Sequence, residues 1–408
     1  MTTGTKGRRR HRAWTTALVA VVIAVTTAAC GETLSGHASP GMTPVDLTEL
    51  DFGLAPSEPT EFELDAMMLT TEIYDIEGRR MLAYLASPYE IDPELRYLGD
   101  TTVITQGSLA FGNFFPDSFE PIAERNHLVA GAATARENKS ERRKKTGTVA
   151  VLRFGNETSA RTASNEFDAE LNVLYPGRQK TDVPGHPGVL AGVGPNHDRG
   201  QAIAVKGPYV IAVSVTTPAD QFGDMAVRLQ QLLDRQFEAM KDLTPTPADD
   251  ILDLPINPDG IMNLTLPEKY SGGFGLYDEL LGAYPPDAHQ HFEYDAESVG
   301  DYSSYGVDLV ARNGAVVYRT GSVAQAFALQ SALARPGKYD EEIPGPPGIA
   351  DSRCIQRDYS FGFIEGFYCV TVFENYVTMV DTSGAGDLPS PELYKSTAAQ
   401  YAILANSR

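Results

Sequence analysis

The chain has 408 residues, of which 42% are hydrophobic, and its 54 acidic and 33 basic residues give a net charge of −21 at pH 7. This length predicts two or three domains, and the hydrophobic content is typical of globular cores rather than of disorder. So acidic a surface repels phosphate groups, which argues against nucleic acid and anionic lipid headgroups as general partners.

The first 29 residues have the layout of a secretory signal peptide. An uncharged stretch runs from Ala13 to Ala29 and is followed by Cys30. A basic start, a short apolar run and small residues before a cut site are the parts of such a leader. The basic residues of the start are Lys6, Arg8, Arg9, Arg10 and Arg12. We therefore predict that residues 1–29 are removed.

Cys30, the first residue of the predicted mature chain, resembles the cysteine of the bacterial lipobox, whose thiol receives diacylglycerol. Thr27 stands where that motif usually has leucine. The resemblance implies a diacylglyceryl anchor on Cys30 that holds the protein on the extracytoplasmic face of the cell membrane. An uncleaved anchor is the alternative, but it needs about 20 apolar residues and this run is shorter. Ordinary secretion with cleavage at another position also stays open.

The next regions predict a tether and then a less regular segment. Without the leader, which holds five basic and no acidic residues, 28 basic and 54 acidic residues remain, a net charge of −26. Residues 30–45 are rich in Gly, Ser, Pro and Thr and predict a flexible tether. Within residues 46–145, an apolar pattern predicts a helix near residues 77–87 that stops at Pro88.

A basic cluster follows, in which Arg142, Arg143, Lys144 and Lys145 are adjacent. Such a cluster can contact anionic lipid or a cell-wall polymer, at about 1 kcal/mol for each charge near the surface. A solvated loop before the next strand explains the same residues. Both interpretations stay open.

An internal repeat begins after this cluster. The turn-like sequence Val183–Val189 recurs as Ile343–Ile349, and each copy contains Pro-Gly-x-Pro-Gly. Proline fixes φ and glycine allows positive φ, so this element suits a tight turn that enters a strand. Its prolines can also line a ligand pocket. The β-rich runs around it are Ala150–Phe154 and Tyr209–Val213 in the first copy, and Ala315–Arg319 and Tyr376–Val380 in the second.

Each repeat is predicted to run strand–helix–strand–strand–strand–helix, and the last helix of the second repeat begins at Pro391 after the N-cap Ser390. Three strands joined by short turns favour an antiparallel sheet with helices packed on one face, an α+β architecture. We predict two related domains with a Pro-rich linker between them. Their bounds are 46–242 (repeat core 147–241), the linker 243–260, and 261–408 (repeat core 306–406).

Cys354 and Cys369 are the cysteines left when Cys30 carries a lipid. They flank a turn-like region, so neighbouring strands can bring them together, and an oxidising compartment then favours a disulfide. A loop this short stabilises the fold by about 3 kcal/mol when it is closed. Two free buried thiols are the alternative.

Aromatic residues occupy the turn between these cysteines. Tyr359, Phe361 and Phe363 alternate along the chain, which places three rings on one face of a strand. Exposed rings at a turn favour a ligand or partner surface, with Phe361 and Phe363 as its candidates. Burial of the same face in the core is the alternative.

The sequence contains neither a Gly-x-Ser-x-Gly nucleophile motif nor a phosphate-binding Gly-x-x-x-x-Gly-Lys loop. We assign no catalytic residue and predict no cofactor. His289, His291 and Glu293 are the weak candidates for a metal site, since alternate residues of a strand share a face and imidazoles with a carboxylate suit zinc or copper. A hydrated loop is the alternative for this segment, and His186 is interpreted as a solvated loop histidine.

The lipobox, the tandem organisation and the C-terminal cysteine pair together resemble actinobacterial cell-envelope lipoproteins of unknown function. The second repeat, with its paired cysteines and the final Gln400-Tyr401, is also similar to extracytoplasmic sensor-type domains of mycobacterial envelope proteins. The resemblance implies an extracytoplasmic location and no particular activity.

Three functional hypotheses follow. The first is a non-catalytic lipoprotein that binds an envelope lipid, glycolipid or small molecule between its two domains, because clefts between domains are common ligand sites. The second is an interaction or sensor module that binds an envelope protein. The third is an enzyme whose active site has no sequence motif.

Overall fold

A computed structural model describes residues 41–62, 69–105, 114–196, 198–270, 280–338, 340–357, 366–383 and 389–408. The leader, Cys30 and most of the tether lie outside these residues, as do Tyr359, Phe361 and Phe363. What the sequence predicts for them stays a prediction. None of the helices in the described ranges is long and apolar enough to span a membrane.

The described residues form two antiparallel sheets of seven strands each. The first sheet has the order β1-β2-β3-β7-β6-β5-β4. Its strands are β1 Tyr97–Ile104, β2 Leu128–Glu137, β3 Thr146–Phe154, β4 Gln179–Lys180, β5 Leu190–Val193, β6 Arg199–Lys206 and β7 Tyr209–Thr216. The second has β8 Gly282–Tyr284, β9 Leu309–Arg312, β10 Val316–Arg319, β11 Glu341–Ile343, β12 Arg353–Arg357, β13 Gly366–Phe373 and β14 Tyr376–Ser383.

The two sheets have the same topology. The second sheet has the order β8-β9-β10-β14-β13-β12-β11, which repeats the first strand for strand. The predicted α+β class with two related domains is confirmed. The duplication is larger than the repeat seen in the sequence, because β1 and β2 of the first sheet and β8 of the second lie before the repeat cores.

Helices follow equivalent strands in both domains. The predicted N-cap Ser390 is confirmed, since its Oγ accepts a hydrogen bond from the backbone N–H of Glu392. The helix predicted near residues 77–87 ends earlier, at Leu82. The α-helices are Leu69–Leu82, Glu120–Arg125, Glu157–Leu174, Met225–Ala239, Pro286–His289, Val323–Leu333 and Pro391–Ala405. The longer 3₁₀ segments are Ala219–Asp224, Ala248–Asp253 and Pro258–Leu264.

The helices cover both faces of each sheet, so the expectation that they share one face is wrong. On β3, Val151 packs with Leu229 of the helix that ends the first repeat. Its neighbour Leu152 lies on the other face and packs with Phe167 of the helix that follows β3. Strands buried on both faces lack the alternation of apolar and polar residues that marks a one-sided sheet. All eight residues of β13 are buried, for example.

A buried glutamine repeats in the last helix of each domain. Gln236 accepts a hydrogen bond from the N–H of Ala86 (2.8 Å) and donates one to the carbonyl of Tyr84 (2.9 Å). Gln400 accepts from the N–H of Leu266 (2.6 Å) and donates to the carbonyl of Leu264 (2.8 Å). Each glutamine thus fastens the chain that precedes its sheet.

The chain before the first domain lies against the second domain. Apolar side chains of the segment 42–52 pack against Ile349 and Tyr401. Thr43 also donates two hydrogen bonds to the carboxylate of Asp351, from its backbone N (2.6 Å) and its Oγ1 (2.9 Å). The sequence predicts that this segment belongs partly to the tether and partly to the first domain, but its apolar side chains contact the second. The side chains of the segment that pack here are Met42, Val45, Leu47, Leu50 and Phe52.

The disulfide lies inside the second sheet. Cys354 of β12 faces Cys369 of β13 in register, with their Cα atoms 4.0 Å apart, and the two sulfurs are bonded. Both residues are fully buried under the last helix of the domain. Two further aromatic residues, Phe367 and Tyr368 of β13, are also buried in the core.

Candidate binding cleft

A cleft of about 310 Å³ opens on the first domain. Its walls are the Glu157–Leu174 helix, the turn at residues 185–190, strand β6 and the side chain of Phe237. We call it the first-domain cleft. It is lined by the turn of the sequence repeat, for which the sequence left both a structural role and a pocket role open.

The turn is built on two glycines in the left-handed region. Gly185 has φ +77° and Gly188 has φ +87°, a conformation that side chains with a Cβ rarely adopt. A Cβ on either glycine would have no neighbour within 4 Å. The backbone therefore turns here without anything packed over it, which leaves this wall of the first-domain cleft open.

His186 is held rigidly at the rim of the first-domain cleft. Its Nε2 lies 2.7 Å from Oδ1 of Asp234, and its ring stacks on Phe237 with centroids 5.3 Å apart and planes 20° apart. The interpretation of His186 as a solvated loop residue missed both contacts. They fix the ring at the end of the final helix of the domain.

The helix side of the first-domain cleft is polar. Arg161 and Asn165 are exposed on this wall, and Arg161 pairs with Glu157 at 2.6 Å. The hydroxyl of Ser164 donates to the carbonyl of Arg161 (2.8 Å) rather than to a catalytic partner. The opposite wall contributes the apolar residues Ile203 and Val205 of β6 to the lining. The described lining thus offers polar and apolar binding groups side by side.

The second domain has a counterpart of this cleft, formed by Gly348, Ile349 and Tyr401, which we call the second-domain groove. These residues correspond to Gly188, Val189 and Phe237, through the repeated turn and the repeated Gln-aromatic pair of the last helix. The second-domain groove is covered by the segment 42–52, and Ile349 and Tyr401 are only 3% and 4% exposed.

The corresponding residues of the first domain are more exposed. Val189 and Phe237 are half-buried, and both line the open first-domain cleft. The same local sequence pattern therefore gives a filled groove in one domain and an empty one in the other.

The junction between the two sheets is filled by the segment 289–297. The backbone N–H of Leu98 on edge strand β1 donates to the carbonyl of Tyr294 (2.7 Å), and the N–H of Ala296 donates to the carbonyl of Arg96 (2.9 Å). These bonds cover an edge strand that would otherwise expose free hydrogen-bonding groups. The first-domain cleft lies away from this junction, where a ligand site was expected.

The metal candidates do not converge as predicted. Residues 286–292 form helical turns rather than a strand, so the rule of alternating faces does not apply. Nε2 of His289 lies 3.1 Å from the hydroxyl of Tyr318 and 3.4 Å from Glu293, whereas His291 is buried beside Arg136. Within the described residues no group of three or more His, Cys, Asp or Glu side chains is arranged to hold a metal ion.

His291 makes the stability of the fold sensitive to pH. Burial, aided by the positive charge of Arg136, lowers the pKa of His291 to about 3. The unfolded chain therefore binds a proton near pH 6.5 that the folded chain does not, and stability is lost as the pH falls from that value toward 3. We expect His291 to lower the free energy of unfolding by about 2 kcal/mol when the pH falls from 7 to 5.

Urea unfolding at pH 7, 6 and 5 measures this effect. The variant His291→Leu should lose about 2 kcal/mol less than the wild type over this interval. His127→Asn, which removes an exposed histidine, is the matched control. Equal pH dependence in His291→Leu and the wild type would contradict the prediction.

The basic cluster lies in the turn between β2 and β3, and half of it is paired. Arg143 pairs with Asp220 at 3.1 Å, whereas Arg142 and Lys144 are exposed. Lys145 is buried and pairs with Asp92 at 2.9 Å beside a second cleft of about 300 Å³, so its charge is not available at the surface.

Sequence reasoning missed Phe237 and Asn165 as cleft residues. The apolar periodicity of its helix predicts that Phe237 faces the core, and this describes only part of its surroundings. The sequence does contain a signal for Phe237, since the last helix of each repeat contains glutamine followed by an aromatic residue. These pairs are Gln236-Phe237 and Gln400-Tyr401. Nothing comparable marks Asn165, which is one of many polar residues on an exposed helix face.

Two family models match the chain. Residues 67–256 match the N-terminal part, and residues 271–407 the C-terminal part, of a domain of unknown function, DUF7373. No curated protein matches the chain. Among solved structures, the extracellular domain of PknH from Mycobacterium tuberculosis is similar at 14% identity and a TM-score of 0.28, over 38% of this chain and 96% of that domain.

Proposed function

We propose that this chain, which contains both the N-terminal and the C-terminal domain of DUF7373, is a non-catalytic binding protein of the cell envelope that takes its ligand in the first-domain cleft. The observation that carries the proposal is the difference between the two domains. The second-domain groove is filled by the protein's own chain at Gly348, whereas a Cβ on the equivalent Gly188 of the first-domain cleft would have no neighbour within 4 Å.

The lining of the first-domain cleft supports binding rather than catalysis. His186 is paired with Asp234, but the hydroxyl of Ser164 donates to a helix carbonyl and not to that histidine. A nucleophile must be aligned with its base to be activated. The ring of Phe237, the apolar side chains of β6 and the polar helix wall are groups that orient and hold a ligand.

The proposal includes an extracytoplasmic location with a lipid anchor. The leader and Cys30 support it, as does a disulfide of the kind that persists in oxidising compartments. A diacylglyceryl group on Cys30 would hold the domains at the membrane surface through the predicted tether. This places the first-domain cleft among envelope lipids, glycolipids, small molecules and proteins.

Site-directed photo-crosslinking in intact cells tests the proposal. A photoreactive phenylalanine analogue replaces Asn165 at the first-domain cleft in one strain and Val173 in another, since Val173 is 72% exposed on the same helix and does not line the cleft. We expect an adduct at position 165 that is absent at position 173. The protein should also be recovered in the membrane fraction.

The adduct's mass distinguishes its class as lipid, glycan, small molecule or polypeptide. The same pattern of adducts at positions 165 and 173, or none at either, would contradict a binding function for the first-domain cleft. Recovery of the protein in the soluble fraction would contradict the lipid anchor.

A further inference from the structure

We propose that the ligand of the first-domain cleft is a short peptide segment of a partner protein, with an apolar side chain seated against Val189 and Phe237 and an acidic one near Arg161. The inference rests on the proposed function and names the class of ligand. It is drawn from the way in which the second domain fills the second-domain groove.

The occupant of the second-domain groove is a peptide segment. A Cβ on Gly348 would lie 2.7 Å from Cδ2 of Leu50, so the covering segment touches the turn itself. Thr43 fastens the other end of the segment to Asp351 through its backbone N and its hydroxyl. Between these two contacts the segment forms the 3₁₀ turn Leu47–Glu49, so the bound segment is anchored by a backbone N–H at one end and by an apolar side chain at the other.

One helix position leaves more room between helix and sheet in the first domain than in the second. The eighth residue after the N-cap is Ser164 in the first domain, counted from Asn156, and Gln330 in the second, counted from Ser322. The side-chain amide of Gln330 donates to the carbonyls of Asp351 (2.6 Å) and Val370 (3.0 Å) and so fills the space between the helix and the sheet. The shorter Ser164 leaves that space open.

A second helix position sets the charge of the partner. The fifth residue after the N-cap is Phe327 in the second domain and Arg161 in the first. The pair of Arg161 with Glu157 is exposed on both sides, and such pairs contribute little, so the guanidinium can exchange this partner for a carboxylate of the ligand. An acidic residue beside the apolar anchor is therefore expected in the bound peptide.

Selection from a displayed library of random dodecamer peptides tests the inference, with the exported protein carrying Cys30→Ser as the target. The second-domain groove is already occupied by a segment of the same chain at high effective concentration, so selected peptides report on the first-domain cleft. We expect them to share an apolar residue with an acidic neighbour, and to bind more weakly as salt is added.

One variant should weaken this binding and another should not. Asn165→Trp fills the first-domain cleft from an exposed position and should weaken peptide binding at least about tenfold, the loss expected when a central contact is blocked. Val173→Trp is the matched control and should bind like the wild type. Thermal unfolding of each variant verifies that it is folded.

The outcomes separate this inference from the proposed function. A lipid, glycan or small-molecule adduct at position 165, with no peptide enriched from the library, would overturn the peptide inference and leave the binding function intact. A crosslinked pair of two copies of this chain would overturn it in favour of self-association. Peptides that bind folded Asn165→Trp as well as the wild type would also overturn it.

Discussion

Replacing Glu77 by alanine should destabilise the protein by about 3 to 5 kcal/mol, the cost of leaving a buried charge without its partner. The carboxylate of Glu77 is fully buried. It accepts hydrogen bonds from Arg153 (2.6 Å), from Arg80 (2.8 Å) and from the hydroxyl of Thr246 (2.8 Å). These partners come from three parts of the chain, so Glu77 joins the first helix, strand β3 and the predicted linker.

The loss in Glu77→Ala arises mainly from Arg153. This arginine is only 6% exposed, and without the carboxylate its positive charge would be buried unpaired. Glu77→Gln keeps the shape of the side chain and should cost less than alanine, because it keeps hydrogen-bonding atoms near Arg80 and Thr246.

The pKa of Glu77 adds a dependence on pH. Burial alone would raise this pKa, but hydrogen bonds and charges from Arg80, Thr246 and Arg153 more than offset burial and hold it below its ordinary value. The stabilisation is therefore present above the ordinary carboxyl pKa and is lost as the pH falls through the lowered one. Glu77→Gln should remove this component of acid sensitivity.

Urea unfolding followed by circular dichroism at pH 7 measures the effect. Glu238→Ala is the matched control, since it breaks an ion pair with Lys241 in which both side chains are exposed. Such an exposed pair contributes little to stability. A Glu77→Ala variant as stable as Glu238→Ala would contradict the central role of Glu77.

Replacing Arg136 by leucine should cost about 3 kcal/mol or more and loosen the junction between the two sheets. Arg136 lies on β2 and is only 2% exposed. Its guanidinium donates to the carbonyls of Glu293 (2.6 Å), Gln290 (3.0 Å) and Arg96 (3.3 Å). A side chain of the first domain thus donates hydrogen bonds to backbone carbonyls of a segment that belongs to the second.

Burial lowers the pKa of the Arg136 guanidinium, because it disfavours the charged form. The nearby carboxylates of Glu293 and Asp295 oppose that effect. Leucine removes the charge and takes the donor away from the carbonyl of Glu293, whereas the carbonyls of Arg96 and Gln290 keep the N–H groups of Ala296 and Glu293. Arg136→Lys keeps the charge and loses the planar fork, so it should fall between leucine and the wild type.

Hydrogen–deuterium exchange reports on the junction directly. In Arg136→Leu, the backbone amides of Leu98 and Ala296 should exchange faster, because their hydrogen bonds join β1 to the segment 289–297. Arg143→Ala, which removes an exposed partner of Asp220, is the control and should leave both amides unchanged. Unchanged exchange at both amides in Arg136→Leu would show that the junction does not depend on Arg136.

Several features could be predicted from the sequence because they depend on residues close together in the chain. The N-cap at Ser390 needs only the two residues that follow it. The repeated turn needs glycines at fixed positions such as Gly185 and Gly188. The duplication itself was visible because two copies of one local pattern can be compared without knowing their structure.

Other features depended on residues far apart in the sequence, and the tertiary structure decided them. Strands buried on both faces lose the alternation that tells one face from the other, so the second layer of helices was missed. The segment 42–52 could pack on either of two similar domains, and nothing local marks its choice of Ile349 and Tyr401. The metal candidates do not share one face as predicted, because the residues around His289 form helical turns and not a strand.

The candidate site shows the same division. The turn that forms one wall of the first-domain cleft follows from local sequence, because proline and glycine restrict the backbone at their own positions. Whether that turn is covered, as in the second domain, or open, as in the first, depends on tertiary packing. The reason is that the covering segment 42–52 lies more than a hundred residues from either turn, and local sequence does not select the domain on which it packs.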